Sequence, residues 1–205
     1  MNKFNGYEDA KKSAQYSGSA KLPKGGYVAK ILGVKLEEGK NGNSDQIVVQ
    51  FDITEGEYAG FFKKQYDNNT SDDKKFKGVT RIWCPKDDGS EQDGWTKTAF
   101  ARWTSSLEES NSGYAWDWDE KKWKNKEIGL VFRETGTVIE GKEVVYTEVD
   151  HPEPVAKIKD GTFKEGKFKA RNGYTGNGNA SSDSSNSATS DFVNVSDDIE
   201  AELPF

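Results

Sequence analysis

From residue 26 onward, apolar and polar positions alternate along the chain. The segment Gly26-Tyr-Val-Ala-Lys-Ile-Leu-Gly-Val-Lys-Leu36 puts Val28, Leu32, Val34 and Leu36 on one side, the period-two signature of a strand. Gly33 interrupts it, and a glycine inside a long first strand marks a bulge where a sheet bends over to close on itself. The stretch 37–45, with Gly39 and Asn41-Gly42-Asn43, is a turn by composition. Ile47, Val49, Phe51 and Ile53 then alternate with Val48, Gln50 and Asp52 as a half-buried strand, so the first two strands make an antiparallel hairpin. After a turn at Glu55-Gly56-Glu57, Phe61-Phe-Lys-Lys-Gln-Tyr66 reads as a third strand. The polar loop 67–75 separates it from a fourth, Gly78-Val-Thr-Arg-Ile-Trp83.

The period changes near Trp95. Ala99, Phe100, Trp103 and Leu107 fall on one helical face, with Asp93 as the expected N-cap and Asn111-Ser-Gly113 as the stop. This is the only helix the pattern predicts. Tyr114-Ala-Trp-Asp-Trp118 and Trp123 flank a charged turn at 119–122. Ile128-Gly-Leu-Val-Phe132 and Val144-Val-Tyr-Thr-Glu-Val149 follow as a strand pair, joined through Gly136 and a turn at Glu140-Gly141. Pro152 and Pro154 are expected to end the second of these, because proline cannot donate to a ladder, and a short segment 155–168 closes the folded part. The predicted class is mainly β. Strands, one helix, then two more strands is the element sequence of an oligonucleotide-binding (OB) fold, a five-stranded Greek-key barrel with its helix between the third and fourth barrel strands. Other small mixed β folds share that count.

Composition divides the chain into four parts: a polar N-terminal arm at 1–24, the barrel domain at 25–171, a flexible Gly/Asn/Ser linker at 172–196 and an acidic peptide at 197–205. The last two cannot bury enough apolar area to offset ordering entropy, so they are expected to be disordered. The net charge of −6 argues at first against a polyanionic partner. Its distribution reverses that reading. From Thr175 there is no Lys or Arg, and the six acids there (Asp183, Asp191, Asp197, Asp198, Glu200, Glu202) carry the whole excess, leaving 1–174 neutral and free to hold a local basic groove. Charged residues make up 31% of the chain and the mean hydropathy is −0.91. With no apolar run long enough for a bilayer and no secretion-type leader, a cytoplasmic protein without membrane contact is expected.

Catalytic motifs are missing from the sequence: no Gly-x-Ser-x-Gly, no phosphate-cradling Gly-x-x-x-x-Gly-Lys-Ser/Thr, no His-Glu-x-x-His. One cysteine, Cys84, and one histidine, His151, allow neither a disulfide nor a Cys/His zinc set. Cys84 is read as a packing residue, and neither an enzyme, a metal nor a cofactor is expected. Aromatic residues are the stronger anomaly, at 12% in a chain only 33% hydrophobic. Phe51, Phe100 and Trp103 fall at core positions. Others stand beside cations: Phe61, Phe62, Lys63, Lys64 and Tyr66; Phe76 and Lys77; Arg81 and Trp83; Lys122, Trp123 and Lys124. Single-stranded nucleic acid asks for this mixture, because each base offers a π face to a ring and each linkage a phosphate charge. Each ring also has a packing reading, Trp83 and Trp123 above all, as core or edge-covering residues. A carbohydrate-binding module would also use exposed rings, but an acidic terminal peptide does not suit it.

The terminal stretch carries the most specific signal. Asp197-Asp198-Ile199 and Leu203-Pro204-Phe205, behind a Gly/Asn/Ser linker, resemble the acidic tails of bacterial single-stranded-DNA-binding proteins, which close on Pro-Phe. The segments Lys126-Glu-Ile-Gly-Leu-Val-Phe132 and Lys159-Asp-Gly-Thr-Phe-Lys-Glu-Gly-Lys-Phe-Lys169 look more like a phage replication module. The resemblance is therefore to a bacteriophage-encoded member of that family, acting in the host cytoplasm. It implies an OB-fold body that coats single-stranded DNA during replication or recombination. It also implies that Asp197, Asp198, Ile199, Leu203, Pro204 and Phe205 recruit replication or recombination proteins. Self-association is allowed but not specified. The alternative is a replication-module adaptor that binds proteins and does not touch DNA.

Overall fold

The computed structural model describes residues 21–40 and 42–176. Its order is β1 (Gly25–Glu37), β2 (Gln46–Ile53), α1 (Phe61–Asn68), β3 (Val79–Trp83), α2 (Glu91–Ser110), a 3-10 turn (Glu120–Trp123), β4 (Glu127–Ile139), β5 (Lys142–Glu153), α3 (Val155–Asp160) and β6 (Lys169–Ala170). The strands form one six-stranded mixed sheet in the order β3-β2-β1-β4-β5, with β6 added in parallel to β4. The sheet is not closed, so β3 and β5 are its edges. The helix α2 touches β3, β4 and β5, packing across the gap between those edges.

The expected hairpin is present, with Ala29 opposite Ile53 and Glu37 opposite Gln46. The expected irregularity is also present: Ile31 pairs with Phe51 and Gly33 with Gln50, leaving Leu32 as the extra residue. That insertion changes the phase of the strand. Ahead of it, Tyr27, Ala29 and Ile31 face the core, and behind it Val34 does, whereas the expected face of Val28, Leu32, Val34 and Leu36 runs unbroken. Leu36 ends 46% exposed. The strand β2 is buried on both faces rather than half-buried, since Val48, Gln50 and Asp52 are as hidden as their apolar neighbours.

Asp52 explains the largest departure from expectation. The segment Phe61–Tyr66 is not a third strand but the start of α1. Gly60 enters it in the left-handed region at φ 71°, which glycine adopts without steric cost. Asp52, on the neighbouring strand, accepts the amide protons of Phe62 (3.0 Å) and Lys63 (3.1 Å), two of the donors a helix start leaves unpaired. Burial pushes its carboxyl above the usual range even against these N–H groups. Phe61 and Phe62 then face inward while Lys63 and Lys64 face solvent, as a helical period requires.

In α2 the cap is Ser90, not Asp93: its Oγ accepts the Asp93 amide at 3.1 Å, worth about 1 kcal/mol. Asp93 instead sits buried in the first turn, where its carboxylate accepts the Asp87 amide and pairs with Lys97 at 2.8 Å. Phe100, Trp103 and Leu107 reach the core as expected, but Ala99 is exposed. Trp123 is fully buried and stacks on Trp103 at 6.4 Å. Such a pair adds about 0.5–1.5 kcal/mol to burial alone.

The second strand pair runs further than expected, from Glu127 to Glu153, around Glu140-Gly141. Both turn residues have positive φ (47° and 77°), the two-residue geometry that matches strand twist. Pro152 does not end β5. It pairs with Leu130 within the ladder, which proline tolerates on an edge strand. Pro154 instead precedes α3, a helix the pattern did not predict. Leu22, assigned to the polar arm, is buried in the core.

Candidate nucleic-acid interface

Paired residues on neighbouring strands share a face, and two transverse rows build the site. Lys35, Val48 and Arg81 form one row across β1, β2 and β3; Glu37, Gln46 and Trp83 form the next. Trp83 is 47% exposed and follows Arg81 by two residues, so alternation puts both side chains on the same face. Arg81 pairs with Glu37 at 3.4 Å and Lys35 approaches the same carboxylate at 3.7 Å. Two cations therefore share one acid beside an exposed indole. Partly exposed ion pairs of this kind are worth about 0–1 kcal/mol, so a phosphate can displace Glu37 from Arg81 at little cost.

A second group lies on α1 and the chain after it. Lys74 Nζ stands 4.6 Å over the Tyr66 ring, and Phe76 lies 6.1 Å from the same ring. Tyr66 and Phe76 are half-buried. Lys77 beside them is partly buried, and loss of water together with the nearby Lys75 charge lowers its pKa. A cation already short of water gains more from a phosphate than a fully hydrated one.

The remaining expected residues do not join either group. Phe61 and Phe62 are core side chains, in edge-to-face contact with each other at 5.1 Å. Lys63 is exposed but pairs with Asp67 at 3.2 Å, and Lys64 Nζ donates to the Ala59 carbonyl at 2.7 Å. Trp123 has no exposed surface. Lys122, next to it, is held by Asp117, and Lys124 is exposed. The tail residues Asp197, Asp198, Ile199, Leu203, Pro204 and Phe205 lie outside the described residues.

Sequence reasoning passed over Lys35, which reaches the site only through strand register, and two further exposed rings. Trp95 is 74% exposed on the first turns of α2, and Trp118 is 81% exposed while lying flat on Phe100 at 6.4 Å. Trp95 carries a readable signal: it sits off the apolar face of its helix.

Cys84 packs against the core, and burial raises its thiol pKa, which keeps it protonated. His151 lies between two carboxylates, with Nδ1 2.9 Å from Asp150 and Nε2 3.6 Å from Glu153. Among the described residues no group of three or more His, Cys, Asp or Glu side chains is placed to hold a metal ion. Among the same residues no helix is long and apolar enough to cross a membrane. No protein-family model matches the chain, and no curated protein is significantly similar to it.

Proposed function

We propose that this chain is a non-enzymatic single-stranded-DNA-binding protein whose body is an open form of the OB fold. The strand order β3-β2-β1-β4-β5 is that of the barrel with the closing contact between its first and last members unmade, and α2 falls between β3 and β4 as that fold requires. The usual nucleic-acid face of such barrels lies over the second and third strands. Here that face carries Trp83, Arg81 and Lys35. The observation that bears the reading is this trio: one exposed ring for a base and two weakly committed cations for phosphates, in adjacent rows of a rigid sheet. Coating of DNA during replication or recombination, and recruitment of replication or recombination proteins through the acidic peptide 197–205, complete the proposal, with a phage origin as its source.

Titration of the intact chain with oligothymidine tests it. Tight, salt-sensitive binding that quenches indole fluorescence is expected. Trp83→Ala should weaken binding roughly 5- to 150-fold, the worth of one base–ring stack, without lowering the unfolding temperature. No binding at low salt would refute the reading. Exposed Trp95 and Trp118 favour the second reading, a protein-binding adaptor. It predicts partner capture, unaffected by loss of Trp83, from a chain that leaves DNA free.

A further inference from the structure

Glu37 is the acid that the two cations of the Trp83 face share. Its Oε2 lies 3.4 Å from Arg81 Nη2 and its Oε1 3.7 Å from Lys35 Nζ. Each carboxylate oxygen therefore faces a different cation, as the two free oxygens of a phosphodiester would. The sheet produces this arrangement. Lys35 and Glu37 are two apart on β1 and so share a face. Val48 of β2 lies between Lys35 and Arg81 in one row, and Gln46 between Glu37 and Trp83 in the next. Neither intervening side chain carries a charge, so neither offers the cations another counter-ion.

The backbone keeps this carboxylate at the site whether or not it holds the cations. Glu37 is the last residue of β1 and is paired with Gln46, and the loop behind it is tied by the Gly39 amide donating to Asp45 Oδ1 at 2.8 Å. A phosphate that takes Arg81 and Lys35 displaces Glu37 by rotation of its side chain and leaves it beside the bound anion. Repulsion between the two anions then opposes the bound state, and the cations have an acceptor waiting when the phosphate moves away. The side chains of Glu37 and Arg81 are only 26% and 28% exposed, so this repulsion is screened less than between fully hydrated charges.

We propose that Glu37 is an internal competitor for the phosphate position, a release group that shortens the residence of a bound strand. The proposal rests on the DNA-binding reading above and adds the regulation of that same site. Recapture of Arg81 and Lys35 by Glu37 gives the bound phosphate a local exchange route, so its departure does not leave two bare cations. A protein that coats single strands during replication has to give them up when the complementary strand is made, and this exchange provides the means. A partly exposed pair of this kind corresponds to at most about fivefold in an equilibrium constant, so the contact tunes release without abolishing binding. Differences among variants of one interface fall mainly on dissociation.

The test is stopped-flow dissociation of a fluorescent oligothymidine from the intact chain into excess unlabelled oligomer at fixed low salt. Glu37→Gln should release the strand about 3- to 5-fold more slowly, with association changed by less than about twofold. Glu38→Gln, the same change in net charge at the exposed next residue, should match the wild type. In a Lys35→Ala/Arg81→Ala background, Glu37→Gln should no longer slow release, because no cation is left to recapture. Should Glu37→Gln lower the unfolding midpoint, Glu37→Asp carries the readout: its shorter side chain keeps the charge and loses the reach, and release should slow by about twofold. Unchanged release from Glu37→Gln would overturn the proposal. Faster release would overturn it too, since it makes Glu37 a residue that positions the cations. Equal slowing in Glu38→Gln, or slowing that survives in the doubly substituted background, would also overturn it, because both mean a general effect of net charge. A wild-type chain that binds no oligothymidine at low salt would instead remove the DNA-binding reading itself.

Discussion

Two arginines on the same sheet show how burial decides what a charge is for. Arg133 on β4 donates to Glu148 through Nε at 3.0 Å and Nη2 at 2.7 Å, and its Nη1 reaches Asp150. Thr135 and Arg171 converge on the same Glu148 oxygen. Its side chain is only 18% exposed, and its donors are committed to protein. Arg81 on β3 has one carboxylate, at 3.4 Å, shared with a mostly exposed lysine. The first arrangement fixes the geometry of β4 and β5. The second leaves a cation that can change partner, which is what binding a phosphate requires.

The contrast breaks most visibly if Arg133 is removed. Arg133→Ala removes the cation that Glu148 and Asp150 share and leaves Glu148 with only Arg171 and Thr135, and should cost about 2–3 kcal/mol in denaturant unfolding once partial exposure is discounted. A loss below about 0.5 kcal/mol would make the two arginines equivalent. Trp83→Ala is the next largest effect and the converse one, with affinity falling and stability kept. Arg81→Ala should weaken oligothymidine binding only a few-fold and reduce the salt slope by about 1, while unfolding shifts by less than about 0.5 kcal/mol. Lys35→Ala should show the same pattern at smaller amplitude, because its side chain is the more hydrated of the two. The smallest effect concerns Asp93, whose pKa is lowered chiefly by Lys97. A depressed carboxylate contributes stability above its unfolded value of about 3.9, and that contribution is lost as pH falls through the folded value. Asp93→Asn should therefore flatten the acid limb of the stability profile and leave DNA binding unchanged.

Much of the fold was legible because it is written in local period. Both hairpins, the irregularity at Gly33, the turn at Glu140-Gly141 and the buried face of α2 follow from alternation, turn residues and helical spacing. The failures share a cause in distant partners. α1 depends on Asp52, nine residues ahead of Phe61 in sequence and adjacent to the helix start only after β2 has formed. The doublets Phe61-Phe62 and Lys63-Lys64 were a local hint, since strict alternation forbids them. The core phase of β1 was misjudged because the extra residue, Leu32, resets it, and a pattern count does not see a bulge's depth. At the candidate site, Arg81 and Trp83 were readable as neighbours two apart on a strand. Lys35 was not, because it arrives through cross-strand register. Lys122-Trp123-Lys124 misled in the opposite sense: ring and cations adjacent in sequence point to opposite sides, and the ring fills the core.

The bulged strand β1 has a further consequence, for the order in which the molecule can be assembled. Its pairing with β2 spans a short loop, with Glu37 opposite Gln46, but its pairing with β4 joins Gly26 to Val131. A chain growing from its N-terminus can complete the β1-β2-β3 meander early, whereas the other edge of β1 stays open until β4 has been made. Closing so long a loop is slow relative to a hairpin, and an unpaired edge is a template for wrong pairing. Gly25 and Gly26 lie on that waiting edge, where weak intrinsic strand preference lowers the danger of premature partners. The half of the sheet that carries Trp83 is therefore the half whose pairing partners are all present first in the growing chain.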